Sequence, residues 1–138
     1  MRNIDLIIVH CSDTYEDMDI GVEDIRRWHV EENGWSDIGY HYVILRDGTI
    51  DVGRDIEKVG AHTYGYNRHS VGICVVGGKG HDGKSEDNFT DVQYSTLTKL
   101  LKMMKVNHVK ATIHGHNEFS IKSCPSFDVQ DFLEENKI

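Results

Sequence analysis

Ile4-Asp5-Leu6-Ile7-Ile8-Val9-His10 is the stretch on which the reading of the fold turns. Residues 4–9 form an aliphatic run rich in β-branched side chains, with no polar alternation from Leu6 to Val9. Such a run suits a strand covered on both faces, as in a sheet held between two layers. It is too short to cross a membrane and too short for the core of a signal peptide. The run stops at His10, which places that histidine at the carboxyl end of the strand. Ligand sites in open α/β sheets gather at such ends.

Working outward, Val22, Ile25, Trp28 and His29 recur at helical spacing, which predicts a helix over 22–32 with Gly34 as its stop. Residues 40–45 read as a second strand. Asp47-Gly48 makes a tight turn, and 49–52 returns as a short partner. After a polar loop through His62 and Asn67, residues 71–76 read as a third buried strand, and 79–89 as a mobile surface loop. Thr90 with Gln93 forms a capping-box signal, and Phe89 with Tyr94 a hydrophobic staple. Leu97, Leu100, Leu101 and Met104 then line one side of the helix they open. Residues 111–114 suit a short strand. Asp128 suits the cap of a last helix, with Phe127 stapled to Phe132. The order predicts an α/β fold, a mixed and mainly parallel β-sheet flanked by helices, with 1–138 as a single domain.

The formal net charge is −8. A nucleic-acid binder needs a basic face to neutralise phosphates, so that class is disfavoured, as is docking on anionic membrane. The acidic tract Glu16, Asp17, Asp19, Glu23, Asp24 lacks the glycine and final glutamate of a calcium loop; it reads as a solvated face. Cys11, Cys74 and Cys124 cannot form a paired framework. They fit a reducing compartment, where cysteine serves as core filler or metal ligand.

The chain holds 9 histidines, so a lone histidine says little. The informative group is His114-Gly115-His116, followed after seven residues by Cys124 before Pro125. Histidine nitrogen and cysteine sulfur both suit zinc, and a catalytic zinc site needs three protein ligands and one open position. His10 leaves another strand end and joins the set if the two strands pair. Spacing alone does not choose among these donors. Cys11 and Cys74 read as small core residues. No chemistry is assigned to His29, His69, His81 or His108.

A longer series of short motifs runs through the chain. It comprises Val9-His10-Cys11-Ser12, Ile25-Arg26-Arg27-Trp28-His29, Gly34-Trp35, Gly39-Tyr40-His41-Tyr42, Arg46-Asp47-Gly48-Thr49 and Gly53-Arg54-Asp55. Val59-Gly60-Ala61-His62, Gly65-Tyr66-Asn67, Val75-Val76-Gly77-Gly78, Asn88-Phe89-Thr90, His116-Asn117-Glu118 and Lys122-Ser123-Cys124-Pro125-Ser126-Phe127-Asp128 complete it. In this order the motifs resemble the type 2 family of N-acetylmuramoyl-L-alanine amidases, and in particular the short lysozyme-type amidases of tailed bacteriophages. Animal peptidoglycan-recognition proteins share that fold. Each motif is weak by itself; the ordered set spans nearly the whole chain.

The resemblance implies a peptidoglycan-recognition-protein-like fold and one Zn²⁺ per chain held by His10, His116 and Cys124. It implies Tyr40 and Lys122 as catalytic residues and His62 as a residue at the substrate groove. His114 has no zinc role in the family pattern. The implied reaction is hydrolysis of the amide between N-acetylmuramic acid and L-alanine in peptidoglycan, by an endolysin of a phage or prophage. Synthesis in the cytoplasm and release through a holin are then expected, with no appended wall-binding domain and a monomeric state. The competing expectations are a non-catalytic peptidoglycan-binding module and a cytoplasmic muropeptide-recycling amidase. The phage group also includes a lysozyme that inhibits its phage RNA polymerase, so that polymerase stands as a further partner to test.

Overall fold

The computed structural model describes residues 2–138. Its main sheet is built from β1 (Leu6–Cys11), β3 (Tyr42–Ile44), β4 (Ile50–Val52), β5 (Ser70–Val75) and β7 (Thr112–Gly115). The strand order is β4-β3-β5-β1-β7. β1 runs parallel to both β5 and β7, and β3 parallel to β5; β4 alone returns antiparallel. Each strand lies within about two residues of the sequence reading. The aliphatic run is an interior strand, flanked by β5 and β7, and helices cover the sheet on both sides, so both of its faces are dry.

Alternation along the central strands divides the interior in two. Ile7, Val9, Val71, Ile73 and Val75 face α2 (Asp91–Asn107) and α3 (Val129–Glu135), meeting Leu97, Leu101, Met104 and Phe132. On the opposite face Cys74, Val76 and Val43 pack with Ile38 and with Ile25 of α1 (Val22–Arg27). α1 continues as one π-helical turn, Trp28–Glu32, and Gly34 follows at φ 71. That left-handed conformation favours glycine and ends the helix.

α2 carries the local signals that its sequence announces. Gln93 N donates to Thr90 Oγ1 at 3.1 Å, and Thr90 N donates to Gln93 Oε1 at 3.0 Å. The Gln93 amide also donates to the carbonyls of Ile44 and Val76, at 3.3 and 2.9 Å. One buried side chain thus closes the helix cap and satisfies the ends of two strands. The Phe89–Tyr94 and Phe127–Phe132 rings meet at 5.9 and 5.7 Å, as the two staples require.

One feature of the sheet architecture departs from the sequence reading. β2 (Thr14–Tyr15) and β6 (Gly78–Lys79) form a separate two-stranded parallel sheet, and Lys79 also bridges to Ser85. Part of the loop expected over 79–89 is therefore a hydrogen-bonded hairpin. Two-residue strands leave no periodicity to read.

Candidate active site

Three elements converge on the second face of the sheet. His10 is the penultimate residue of β1, His116 follows β7, and Cys124 lies on the loop that leads to α3. Because β1 and β7 pair in parallel, with Val9 opposite Gly115, the two histidines leave the sheet at the same level. The ligating atoms of His10, His116 and Cys124 all lie within 4.8 Å of one another. His10 Nδ1 is 3.8 Å from Cys124 Sγ. Zinc bonds of about 2.3 Å to sulfur and about 2.0–2.1 Å to nitrogen give a tetrahedral S···N edge of about 3.6 Å. The donor set fits zinc in chemistry, and the His10–Cys124 pair also fits it in spacing.

The surroundings favour the neutral, ligating form of both histidines. His10 is 1% exposed. Burial, with the charges of His62, His116 and Lys122, holds its pKa well below the usual histidine range. Burial and Lys122 also lower His116. Both rings are thus neutral at pH 7, as metal ligation requires. The Cys124 sulfur accepts the backbone N–H of Cys11 at 3.1 Å. Its hydrogen bond with the Cys11 thiol and its burial push the Cys124 thiol up, so a neighbouring cation is what would hold it as thiolate.

These residues line a groove of about 610 Å³ together with Tyr40 and Lys122. The Tyr40 ring centroid is 5.1 Å from that of His10. Burial and the nearby cysteines raise the Tyr40 phenol well above its ordinary pKa, so it is a hydroxyl donor at neutral pH. A second cleft, of about 510 Å³, is lined by Tyr64, Asn67 and Phe119 and shares Trp35, His62, His116 and Lys122 with the first. The site therefore occupies the sheet face as well as the strand ends, since His62 packs against Gly72 in the middle of β5.

The family model of N-acetylmuramoyl-L-alanine amidase matches residues 1–127. The chain belongs to this amidase family. It is 48% identical over 132 residues to the endolysin of Klebsiella phage KP32, covering 96% of this chain and 87% of that protein. It is 45% identical over 137 residues to the endolysin of Escherichia phage T7, covering 99% and 90%. Among solved structures, the N-acetylmuramoyl-L-alanine amidase LysC from Clostridium intestinale superposes with a TM-score of 0.85 at 26% identity, covering 99% of this chain and 87% of that one. Bumblebee PGRP-SA superposes at 0.80 with 27% identity, covering 97% and 82%.

Within this amidase fold, all six residues expected at the site lie together. His62 occupies the least expected position. Its Nδ1 is 2.9 Å from His10 Nε2, its Nε2 is 3.2 Å from Ser70 Oγ, and it sits beside His10 as well as along the groove. His114 stands apart from the donor set and bonds Glu118 and Thr112, each at 2.8 Å. Residues to which the sequence reading gave no chemistry also appear here. His29 lines the groove while its Nδ1 accepts the Gly39 N–H at 2.9 Å. Thr63, 2% exposed, touches His10 Nε2 at 3.2 Å. No spacing could announce it, because the contact joins residues 53 positions apart.

Proposed function

We propose that this chain is a zinc-dependent N-acetylmuramoyl-L-alanine amidase that hydrolyses the amide between N-acetylmuramic acid and L-alanine in bacterial peptidoglycan, acting as a phage or prophage endolysin. The observation that carries this reading is the His10, His116 and Cys124 donor set on the wall of a groove that also presents Tyr40 and Lys122. Bound there, zinc supplies Lewis acidity that makes water a nucleophile near neutral pH.

The remaining chemistry belongs to side chains. As the amide carbonyl is attacked, its oxygen gains charge and needs donors aimed at it. Lys122 brings a compact ammonium to the same groove, which suits a developing oxyanion. Tyr40 remains protonated and offers a hydroxyl hydrogen bond to the attacking water or to the tetrahedral centre. The two clefts that meet at His62, His116 and Lys122 give room for chain on both sides of the scissile bond. Release through a holin would bring the enzyme to the wall.

The decisive experiment digests purified sacculi and analyses the products by mass spectrometry, beside metal analysis of the same preparation. Free stem peptides with a new amino-terminal alanine, intact glycan strands and one zinc per chain are expected. New reducing sugar ends without new amino groups would overturn the amidase reading. Binding to sacculi without cleavage by zinc-loaded protein would favour a recognition module, and cleavage confined to anhydro-muropeptides a recycling enzyme.

A further inference from the structure

Behind His10, on the side away from Cys124, lies a closed set of polar groups. His10 Nδ1 faces the Cys124 sulfur, whereas His10 Nε2 meets His62 Nδ1 at 2.9 Å and Thr63 Oγ1 at 3.2 Å. Thr63 Oγ1 also lies 3.0 Å from His62 Nδ1. The far side of the His62 ring continues the chain, with Nε2 at 3.2 Å from Ser70 Oγ. Thr63 and Ser70 are buried, at 2% and 0% exposure.

The fold builds a seat for this ring. A Cβ on Gly72 would approach His62 Cγ and Cδ2 to 2.6 Å, so only glycine leaves room there. The loop that carries His62 and Thr63 is pinned by Asn67, whose Oδ1 accepts both backbone N–H groups at 3.0 and 2.9 Å. The Gly72 N–H in turn donates to His41 Nδ1 at 3.0 Å, which fixes the floor beneath the ring. These contacts fix the His62 ring against β5 and beside His10.

We propose that His62, assisted by Thr63, is a positioning residue that fixes the tautomer and orientation of His10 as a metal ligand. Two imidazole nitrogens 2.9 Å apart share one proton. His10 Nδ1 must keep its lone pair for the metal, so the shared proton belongs to His10 Nε2. His62 Nδ1 is then the acceptor, and the His62 proton sits on Nε2, from where it donates to Ser70 Oγ. Metal-bound histidines ordinarily give their second N–H to a carboxylate, a carbonyl or water. Here a neutral imidazole and a hydroxyl take that place. This inference rests on the zinc reading of the site and gives His62 a task distinct from substrate contact.

The test compares wild type, His62→Ala, His62→Asn and Thr63→Val for zinc affinity by chelator competition, with circular dichroism to verify folding. Loss of such a partner typically costs about 10–100-fold in metal affinity, and His62→Ala is expected to fall in that range. The asparagine amide oxygen can stand where Nδ1 stood, so His62→Asn should recover part of the loss. Thr63→Val keeps the shape and should weaken zinc binding by a smaller factor. Nitrogen-15 correlation spectra of the zinc-loaded wild type should show both His10 and His62 as Nε2–H tautomers, an observation that needs no variant to fold. An Nδ1–H tautomer at His62 would overturn the proposal. So would folded His62→Ala and Thr63→Val proteins with wild-type zinc affinity; a raised KM alone in His62→Ala would return that residue to substrate binding. Wild-type protein that binds no zinc at all would instead defeat the reading on which the inference rests.

Discussion

The backbone N–H of Cys11 points at the sulfur of Cys124 from 3.1 Å, across 113 residues of chain. β1 therefore contributes twice to the site: His10 offers a ring nitrogen, and the next residue offers an amide proton to the neighbouring donor. Cys124→Ala removes the sulfur but leaves that amide and both imidazoles in place. Zinc content should fall to near background and turnover should vanish with it, while the circular dichroism spectrum stays close to wild type. Metal analysis beside a sacculus-clearing assay checks this. Full zinc occupancy in the variant would show that Cys124 is not a ligand.

Lys122 and Tyr40 should behave in the opposite way. Neither belongs to the donor set, yet both line the same groove. Loss of one oxyanion donor typically costs about 10²–10³ in rate. Lys122→Ala and Tyr40→Phe should lower kcat by roughly that factor with zinc content unchanged. A Lys122→Ala enzyme with wild-type kcat would assign the oxyanion to another group.

Much of this was legible in the sequence because the signals are local. Thr90 and Gln93 lie three residues apart, and the Leu6–Val9 run declares its burial in one glance. The candidate donor set was legible as a set only through the ordered motifs, since His10 and Cys124 meet across the fold. The role of Gly72 could not be read at all. Its lack of a side chain matters because a loop from ten residues earlier lays His62 on it. The β2–β6 sheet escaped for a different reason: its strands are too short to carry a period.

Acid should destabilise the metal-free protein through its buried histidines. Burial is the main cause that lowers His41 to about 4, and burial with the charges of His41 and His116 lowers His62 to about 3. The unfolded chain titrates these groups near the ordinary value of about 6.5. Between those limits the unfolded state binds more protons, so stability falls as pH drops below about 6.5 and the loss levels off below the folded values. Each group contributes a slope of at most about 1.4 kcal/mol per pH unit in that window. Urea midpoints measured from pH 8 to pH 4 should decline steadily below pH 6.5. A flat profile would mean that the rings are hydrated or already protonated in the fold.

Gly72→Ala joins the fold to the site most directly. Gly72 lies inside β5, paired with Ile8 of β1, and its N–H is held by His41. The backbone is therefore fixed from both sides, and an added methyl has one way out, toward His62 at 2.6 Å. The ring must tilt or lift, which breaks its 2.9 Å contact with His10. Overpacking of this kind typically costs about 1–3 kcal/mol, and urea unfolding should register that loss. Zinc affinity should fall as well, because His10 loses its partner. The double variant Gly72→Ala/His62→Ala separates the two effects. Removing the ring relieves the clash, so the double variant should be less destabilised than the sum of the single changes. It should still bind zinc weakly, since the partner of His10 remains absent. If Gly72→Ala alone leaves both stability and zinc affinity at wild-type values, the ring has another place to go, and the seat beneath His62 is not what holds it.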